Sequence, residues 1–321
     1  LEDLHVDPVH LNRAGYAAWL SLIRPQIEGL ISPNKPAFAN PAAPVAGDEL
    51  LFDFGPDDVL SIDGNETTSP DANGHHWNNW YTVNGGVTIH AGEHKAGLVS
   101  NSGAATGLKW IITGGYQVNG LRNGGLFPPN GPNQSLLGDF AIETVAQDYF
   151  YSAADDLDGG GDDDVPGGFM LAGLNPSLTY EFHFFGSREN TATRRTEYAV
   201  YGTDRRTVTL TTSGTDIGSN GAYDGNDDEI VVVSGVTPDA FGQVFIDMLS
   251  LEGGFAYLNA MKIVVSGSST GIPAWRDLHF TSEELGNPAL ESSLWGNPAD
   301  PDGDGRSNLI EYATGSDPRA F

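Results

Sequence analysis

Between Glu49 and Val265 the apolar residues fall in short runs with a period of two, separated by clusters of Gly, Asn and Asp. In Thr179-Tyr180-Glu181-Phe182-His183-Phe184 the alternation puts Tyr180, Phe182 and Phe184 on one face, as a half-buried strand requires. The same reading predicts strands at Leu50–Phe54, Val87–His90, Leu108–Thr113, Phe140–Val145, Phe169–Leu171, Leu178–Phe185, Thr196–Tyr201, Thr207–Thr211, Glu229–Val233, Gln243–Met248 and Ala256–Val265. Short strands joined by such turns predict an all-β, antiparallel β-sandwich, most simply a jelly roll. No internal repeat of fixed period is visible.

The two ends carry a helical period instead. Tyr16, Leu20, Ile23 and Ile27 share one stripe, with Asn12 as a candidate N-cap and Pro25 bending or ending the helix. Residues 31–48 are rich in Pro and Ala, the composition of a semi-rigid linker. After a short Gly/Ser linker at Ser266 to Gly271, helix is expected from Trp275 through Leu285, and again from Asn308 to Ala313. Four parts follow: a helical segment 1–30, a linker 31–48, a β-module 49–265 and a tail 266–321.

Charge removes several classes of function. With 15 Lys+Arg against 43 Asp+Glu the net charge is −28, which repels a nucleic acid or an anionic membrane. The absence of cysteine excludes a disulfide framework and thiolate chemistry. No apolar run is long enough to span a bilayer, and the first residues do not read as a signal peptide, so an export signal is expected upstream of Leu1. The excess of acid fits calcium ligands, a solvated surface in salty water or plain solubility; a secreted protein stabilised by core size and calcium is the expectation, and the lack of cysteine is compatible with a cytoplasmic one as well.

The sharpest motif is Asp300-Pro301-Asp302-Gly303-Asp304-Gly305-Arg306-Ser307-Asn308-Leu309-Ile310-Glu311. Calcium takes six to eight oxygens, and a helix–loop–helix site supplies them from loop positions 1, 3, 5, 7, 9 and 12, with Gly at position 6. Asp300, Asp302, Asp304, the Arg306 carbonyl, Asn308 and Glu311 fill those positions, and Gly305 stands at the turn. The tail resembles the calcium-binding, EF-hand-like C-terminal tails of secreted bacterial enzymes, in which Asp-Gly-Asp-Gly runs into Asn-Leu and a Glu-Tyr-Ala helix. That resemblance implies a structural Ca2+ site. The acidic runs at Asp155–Asp164 and Asp224–Glu229 read equally as further calcium loops or as solvated loops.

Asp7-Pro8-Val9-His10, entering Leu11-Asn12-Arg13-Ala14-Gly15-Tyr16, resembles the last block of the SGNH (GDSL-type) hydrolases. By that resemblance His10 is the general base and Asp7 its orienting carboxylate. The Gly-Asp-Ser nucleophile block and the oxyanion-hole blocks are not among these residues, and are expected N-terminal to Leu1. The chain alone is therefore expected to be inactive as an esterase. The helix is expected to pack on the sandwich, on a hydrolase domain, or on a second copy of itself.

The β-module resembles the sandwich accessory domains of secreted carbohydrate-active enzymes in phrases such as Phe52-Asp53-Phe54-Gly55, Phe184-Phe185-Gly186-Ser187-Arg188 and Ala256-Tyr257-Leu258-Asn259. The resemblance implies binding of a polysaccharide or other glycan. Sugar recognition needs aromatic planes for pyranose C–H groups, with amides or guanidiniums for the hydroxyls. Trp77, Asn79, Trp80 and Tyr81, in a run that reads as a loop, offer both; Arg122 and Arg188 are further candidates, and Asn119, Asn123, Arg194 and Arg195 accompany them. Trp110 is expected in the core. The net charge favours a neutral or cationic glycan. A self-contained glycoside hydrolase using two carboxylates, from among Asp53, Glu143, Asp148 and Glu181, is the alternative; a structural spacer is a third.

Overall fold

The structure is a computed structural model that describes residues 43–320, apart from 59, 61, 127–130, 154–166, 220–222, 269–270 and 286. The expected N-terminal helix, with Asp7 and His10, and the acidic run 155–164 lie outside the described residues.

Three sheets share one core. The first has five strands in the order β12 (Val231–Val236), β9 (Leu178–Phe185), β15 (Ala260–Ser268), β1 (Glu49–Pro56) and β2 (Trp77–Thr82). The second has six: β11 (Arg205–Ser213), β10 (Arg194–Tyr201), β13 (Gln243–Glu252), β8 (Gly167–Ala172), β5 (Lys109–Gly114) and β4 (His94–Ala96). Alternate residues of both, among them Phe52, Phe54, Phe182, Phe184, Trp110, Phe169, Tyr198 and Ile246, meet in a single buried cluster, which makes the fold an all-β sandwich. The expected position of Trp110 is correct: it is fully buried, 4.6 Å from Phe169 and 4.9 Å from Phe52 between ring centroids.

The third sheet, β14 (Phe255–Leu258), β7 (Tyr149–Ala153), β6 (Tyr116–Asn119) and β3 (Thr88–Ile89), has four strands. Its inner residues Tyr116, Val118, Phe150, Ala256 and Leu258 join the same core. Its other face carries the side chains described in the next subsection.

Several local expectations need correction. The run at Trp77 is a strand rather than a loop, and it pairs with β1 in parallel, so the sandwich is not wholly antiparallel. Phe140–Val145 is not a strand. A single helical turn at Gly138–Phe140 leads into a short helix, α1 (Glu143–Ala146), whose Val145 and Ala146 pack with Phe140 in a second, smaller cluster around Leu51 and Trp77. Apolar residues at those spacings serve a turn as well as a strand. Ala256–Val265 is divided at Asn259, where the chain passes from the third sheet to the first. Asn259 is fully buried, and its side chain accepts from Ser187 N and donates to the carbonyls of Ala146 and Asp148. Its backbone keeps its own partners across the crossing, the N–H donating to Phe185 O at 2.9 Å and the carbonyl accepting from Phe54 N at 3.0 Å. The expected linker at Ser266 is in fact the end of β15.

The tail contains α2 (Gly271–His279), α3 (Ser282–Leu285) and α4 (Asn308–Thr314), as expected for both helical stretches. Trp275 is their hinge pin, edge-on to Phe280 and Tyr312 at 6.2 Å each. Among the described residues no helix is long and apolar enough to cross a membrane.

Candidate functional site: an aromatic sheet face and a carboxylate loop

Strand alternation gives the outer face of the third sheet its character. Tyr149 and Tyr151 of β7, and Phe255 and Tyr257 of β14, are spaced two apart and so point the same way. Register then sets Tyr257 opposite Tyr151, and Tyr151 opposite Gln117 of β6. With Asn119, Asn123 and Arg188 these rings border a cavity of about 210 Å³.

The rings do not play equal parts. Tyr149 and Tyr257 are buried and meet edge-on at 5.2 Å, while Tyr151 and Phe255 are partly exposed, 6.1 Å apart. Arg188 joins the rim to the floor: its Nε donates to Asn123 O at 2.7 Å and a terminal nitrogen donates to the Tyr257 hydroxyl at 3.1 Å. Arg194 is buried beneath, its guanidinium 4.7 Å from the Phe255 centroid and also bonded to the Tyr257 hydroxyl. The lining contains no carboxylate. Burial raises the Tyr257 and Tyr151 phenols above their usual range, so both remain protonated donors near neutral pH. The expected preference against acidic ligands came from net charge; the lining itself carries Arg188 as its one charged side chain.

The sequence-predicted sugar residues are dispersed by the alternation of β2. Trp77 is buried in the smaller cluster, its Nε1 donating to Asp71 Oδ2 at 3.0 Å, and offers no free ring face. Trp80 turns to the opposite side and packs against the main core; Tyr81 is 47% exposed; Asn79 is buried. Arg122 forms a two-pronged pair with the buried Asp63. Of the sugar-binding residues expected from sequence, Arg188 reaches the aromatic face, joined by Asn119 and Asn123. The missed residues had a visible sign: Tyr-x-Tyr at Tyr149 and Phe-x-Tyr at Phe255 place two rings on one side of a strand.

In the tail, Asp300, Asp302 and Asp304 each offer an oxygen within 4.8 Å of the others. The loop is folded by its own carboxylates: Asp300 accepts from Gly303 N and Gly305 N at 2.9 Å, and Asp304 accepts from Arg306 N at 2.7 Å. Gly305 has φ +89°, a conformation that a side chain disfavours. Arg306 itself turns its side chain towards Asp304, 3.7 Å from Oδ2. Glu311, on α4, is fully buried with neither oxygen bonded; Asp302 Oδ2 and Asn308 Oδ1 are also buried and unbonded. Burial first, then the charges of Asp302, Asp304 and Asp300, push the Glu311 carboxyl up. A buried carboxylate facing three others fits a resident divalent cation and little else. Asp224–Glu229 differs: Asp224, Asn226 and Asp227 accept bonds from backbone N–H groups of Asp216, Glu229 and Ser219.

The carboxylates suggested for glycoside hydrolysis do not form a cleft. Asp53 and Asp148 are brought together but buried, bordering a space too narrow for a sugar ring. Glu181 is bonded to His183 and Ser234, and Glu143 lies on α1.

No family model matches this chain, and no curated protein matches it. Among solved structures, a family 61 carbohydrate-binding module (TmCBM61, in complex with β-1,4-galactotriose) superposes with TM-score 0.27 at 12% identity, over 49% of this chain and 88% of its own. A family 35 module from Clostridium thermocellum gives 0.25 at 14% identity, over 48% and 90%. The family 35 module of Cellvibrio japonicus Abf62 gives 0.25 at 13% identity, over 49% and 97%. At such scores the strand order and side chains of this chain carry its interpretation.

Proposed function

We propose that this chain is a secreted, non-catalytic glycan-binding module with a calcium-holding tail, working beside an ester hydrolase. The observation that carries the binding role is the outer face of the third sheet, where the partly exposed rings of Tyr151 and Phe255 stand beside Arg188, Asn119 and Asn123. Exposed rings supply planes for pyranose C–H groups, and the amides and guanidinium supply directed donors for hydroxyls. Two of the five N–H donors of Arg188 are used within the protein, which fixes the group without consuming it.

Calcium in the tail is supported by the complete ligand spacing from Asp300 to Glu311 and by the four buried oxygens without partners. Bound there, the ion would balance the acidic cluster and tie the loop to α4; Asp300, Asp302, Asp304 and Glu311 would hold it, with the Arg306 carbonyl and Asn308 completing the set. The hydrolase partner is supported only by the Asp7-x-x-His10 resemblance.

The test is calorimetry of the chain against neutral and uronate-bearing oligosaccharides in millimolar calcium, beside Phe255→Ala and Arg188→Ala. Binding that both substitutions abolish supports the proposal. A panel without any binding, or binding indifferent to both substitutions, rejects it.

A further inference from the structure

A second cluster of oxygens lies inside the sandwich, apart from both the aromatic face and the tail. Asp53 on β1 and Asn79 on β2 are direct partners in the parallel pairing of those strands. Both are held by the same residue: Asp53 Oδ2 accepts from Thr67 N at 2.9 Å, and Asn79 Nδ2 donates to Thr67 O at 2.7 Å. That clamp uses one atom of each side chain and leaves Asp53 Oδ1 and Asn79 Oδ1 buried without a partner. Asp148, just ahead of β7, contributes two more: both of its carboxylate oxygens are buried and unbonded. All three residues border one small cavity, with Glu66 at its edge and Trp80 and Tyr81 in its wall.

The backbone is built around this carboxylate. A Cβ on Gly55 would lie 2.1 Å from Asp148 Oδ1, and one on Gly64 would lie 1.9 Å from Oδ2. Gly120 closes a third side, where a Cβ would come within 2.8 Å of the Asp148 Cβ. Asn259 anchors the Asp148 carbonyl at 2.6 Å. Three glycine backbones therefore press on a side chain that makes no hydrogen bond with its charged end.

Physical chemistry leaves few ways to stabilise such a group. A water cannot do so, because the cavity has no space of water size. Among the described residues no lysine or arginine pairs with either aspartate; Lys95, the nearby cation, donates instead to the Asn79 carbonyl. Two buried, unpaired carboxylates destabilise the fold unless they are neutralised. Burial raises both carboxyls above their ordinary range, the direction expected of charged groups set side by side away from solvent.

We propose that Asp53, Asn79 and Asp148 form an internal site for a hard divalent cation of the calcium class, locking β1 and β2 to the segment that leads into β7. Oxygen ligands of this kind select calcium over softer metals. The three side chains bring four unpartnered oxygens towards the six to eight that calcium takes, and Glu66 at the cavity edge is the nearest further carboxylate in the lining. Magnesium is disfavoured because it keeps several waters, and this cavity admits none. Calcium approaches its oxygens at roughly 2.3–2.6 Å, closer than a water does, so a gap too small for water still accommodates it.

Terbium luminescence tests the site directly, because Trp80 and Tyr81 stand in the cavity wall and sensitise a bound lanthanide. The full chain carries Glu311→Gln throughout, which disables the tail site and separates the two proposals. Saturable terbium emission excited through tryptophan, displaced by calcium and reduced at least tenfold on adding Asp148→Asn, is the expected result. Absence of sensitised emission in the Glu311→Gln protein, or emission unchanged by Asp148→Asn, overturns the proposal. Should Asp148→Asn fail to fold, Asp53→Asn and the melting temperature of the Glu311→Gln protein provide the second reading. A rise of several degrees in calcium that Asp53→Asn removes supports the site, and a melting temperature indifferent to calcium rejects it.

Discussion

The guanidinium of Arg194 lies 4.7 Å from the ring centroid of Phe255, a buried cation against a partly exposed ring that also meets Tyr151 and Tyr257. A buried cation under an aromatic ring is a strong contact, of about 2 kcal/mol when desolvated. It fixes the plane of Phe255 before any ligand arrives, which lowers the ordering cost of stacking.

From this follows the first prediction. Phe255→Ala and Arg188→Ala each weaken glycan binding about tenfold or more, as hot-spot truncations do. Trp80→Ala leaves affinity within about twofold, because Trp80 packs against the main core, away from the aromatic face. Calorimetric titration of the three variants with one ligand decides it.

Trp77 should behave as a structural residue. Its ring is buried 6.5 Å from Phe140 and its Nε1 is bonded to Asp71. Truncation to alanine is expected to cost about 3–5 kcal/mol of stability, measured by chemical denaturation. The affinity per folded molecule stays unchanged.

Calcium should order the tail as a unit. Glu311→Ala removes the buried ligand and lowers affinity at this loop more than Asp304→Ala does, since Asp304 is partly exposed and Glu311 fully buried. Hydrogen exchange across Asn308–Thr314 is expected to accelerate on chelation in the parent protein. Equal exchange with and without calcium would count against the assignment.

Acid should loosen the C-terminus. The Arg319 guanidinium, followed by hydrogen bonds from Thr281, lowers Glu284 to about 2 from its ordinary 4.5. The folded value is depressed, so the contribution is complete above pH 4.5 and is lost as pH falls through about 2. Titration by carboxyl NMR should give that low value, and Arg319→Ala should return it towards the ordinary one.

Ester hydrolysis should be absent from the isolated chain. A general base acts only on a nucleophile within about 3 Å, beside donors for the oxyanion. Hydrolysis of p-nitrophenyl acetate is expected at background, identical in His10→Ala. Turnover that His10→Ala abolishes would reveal a working site.

Alternation made much of the sandwich legible. Leu178–Phe185 was read with its observed bounds, since Tyr180, Phe182 and Phe184 all face the main core. Strand β2 differs from its expected loop because its residues are polar and aromatic on both sides: Trp77 enters the second cluster, Asn79 borders the internal carboxylates, and Trp80 packs against the main core. Period-two reasoning assumes one wet face, and this strand has none over most of its length.

The carboxylate cluster of the tail could be read from sequence because its residues lie close together along the chain. Spacing along a dozen residues already fixes which oxygens can converge, and Gly305 marks the turn. The aromatic face and the internal carboxylates obey a different logic. Tyr151 meets Tyr257, and Asp53 meets Asp148, only through strand pairings between distant parts of the chain. Among 43 acidic residues, sequence cannot say which two will be buried side by side. Local spacing determined the tail's carboxylate cluster and the strand faces; long-range register, which no local pattern encodes, decided where rings, guanidiniums and buried oxygens meet.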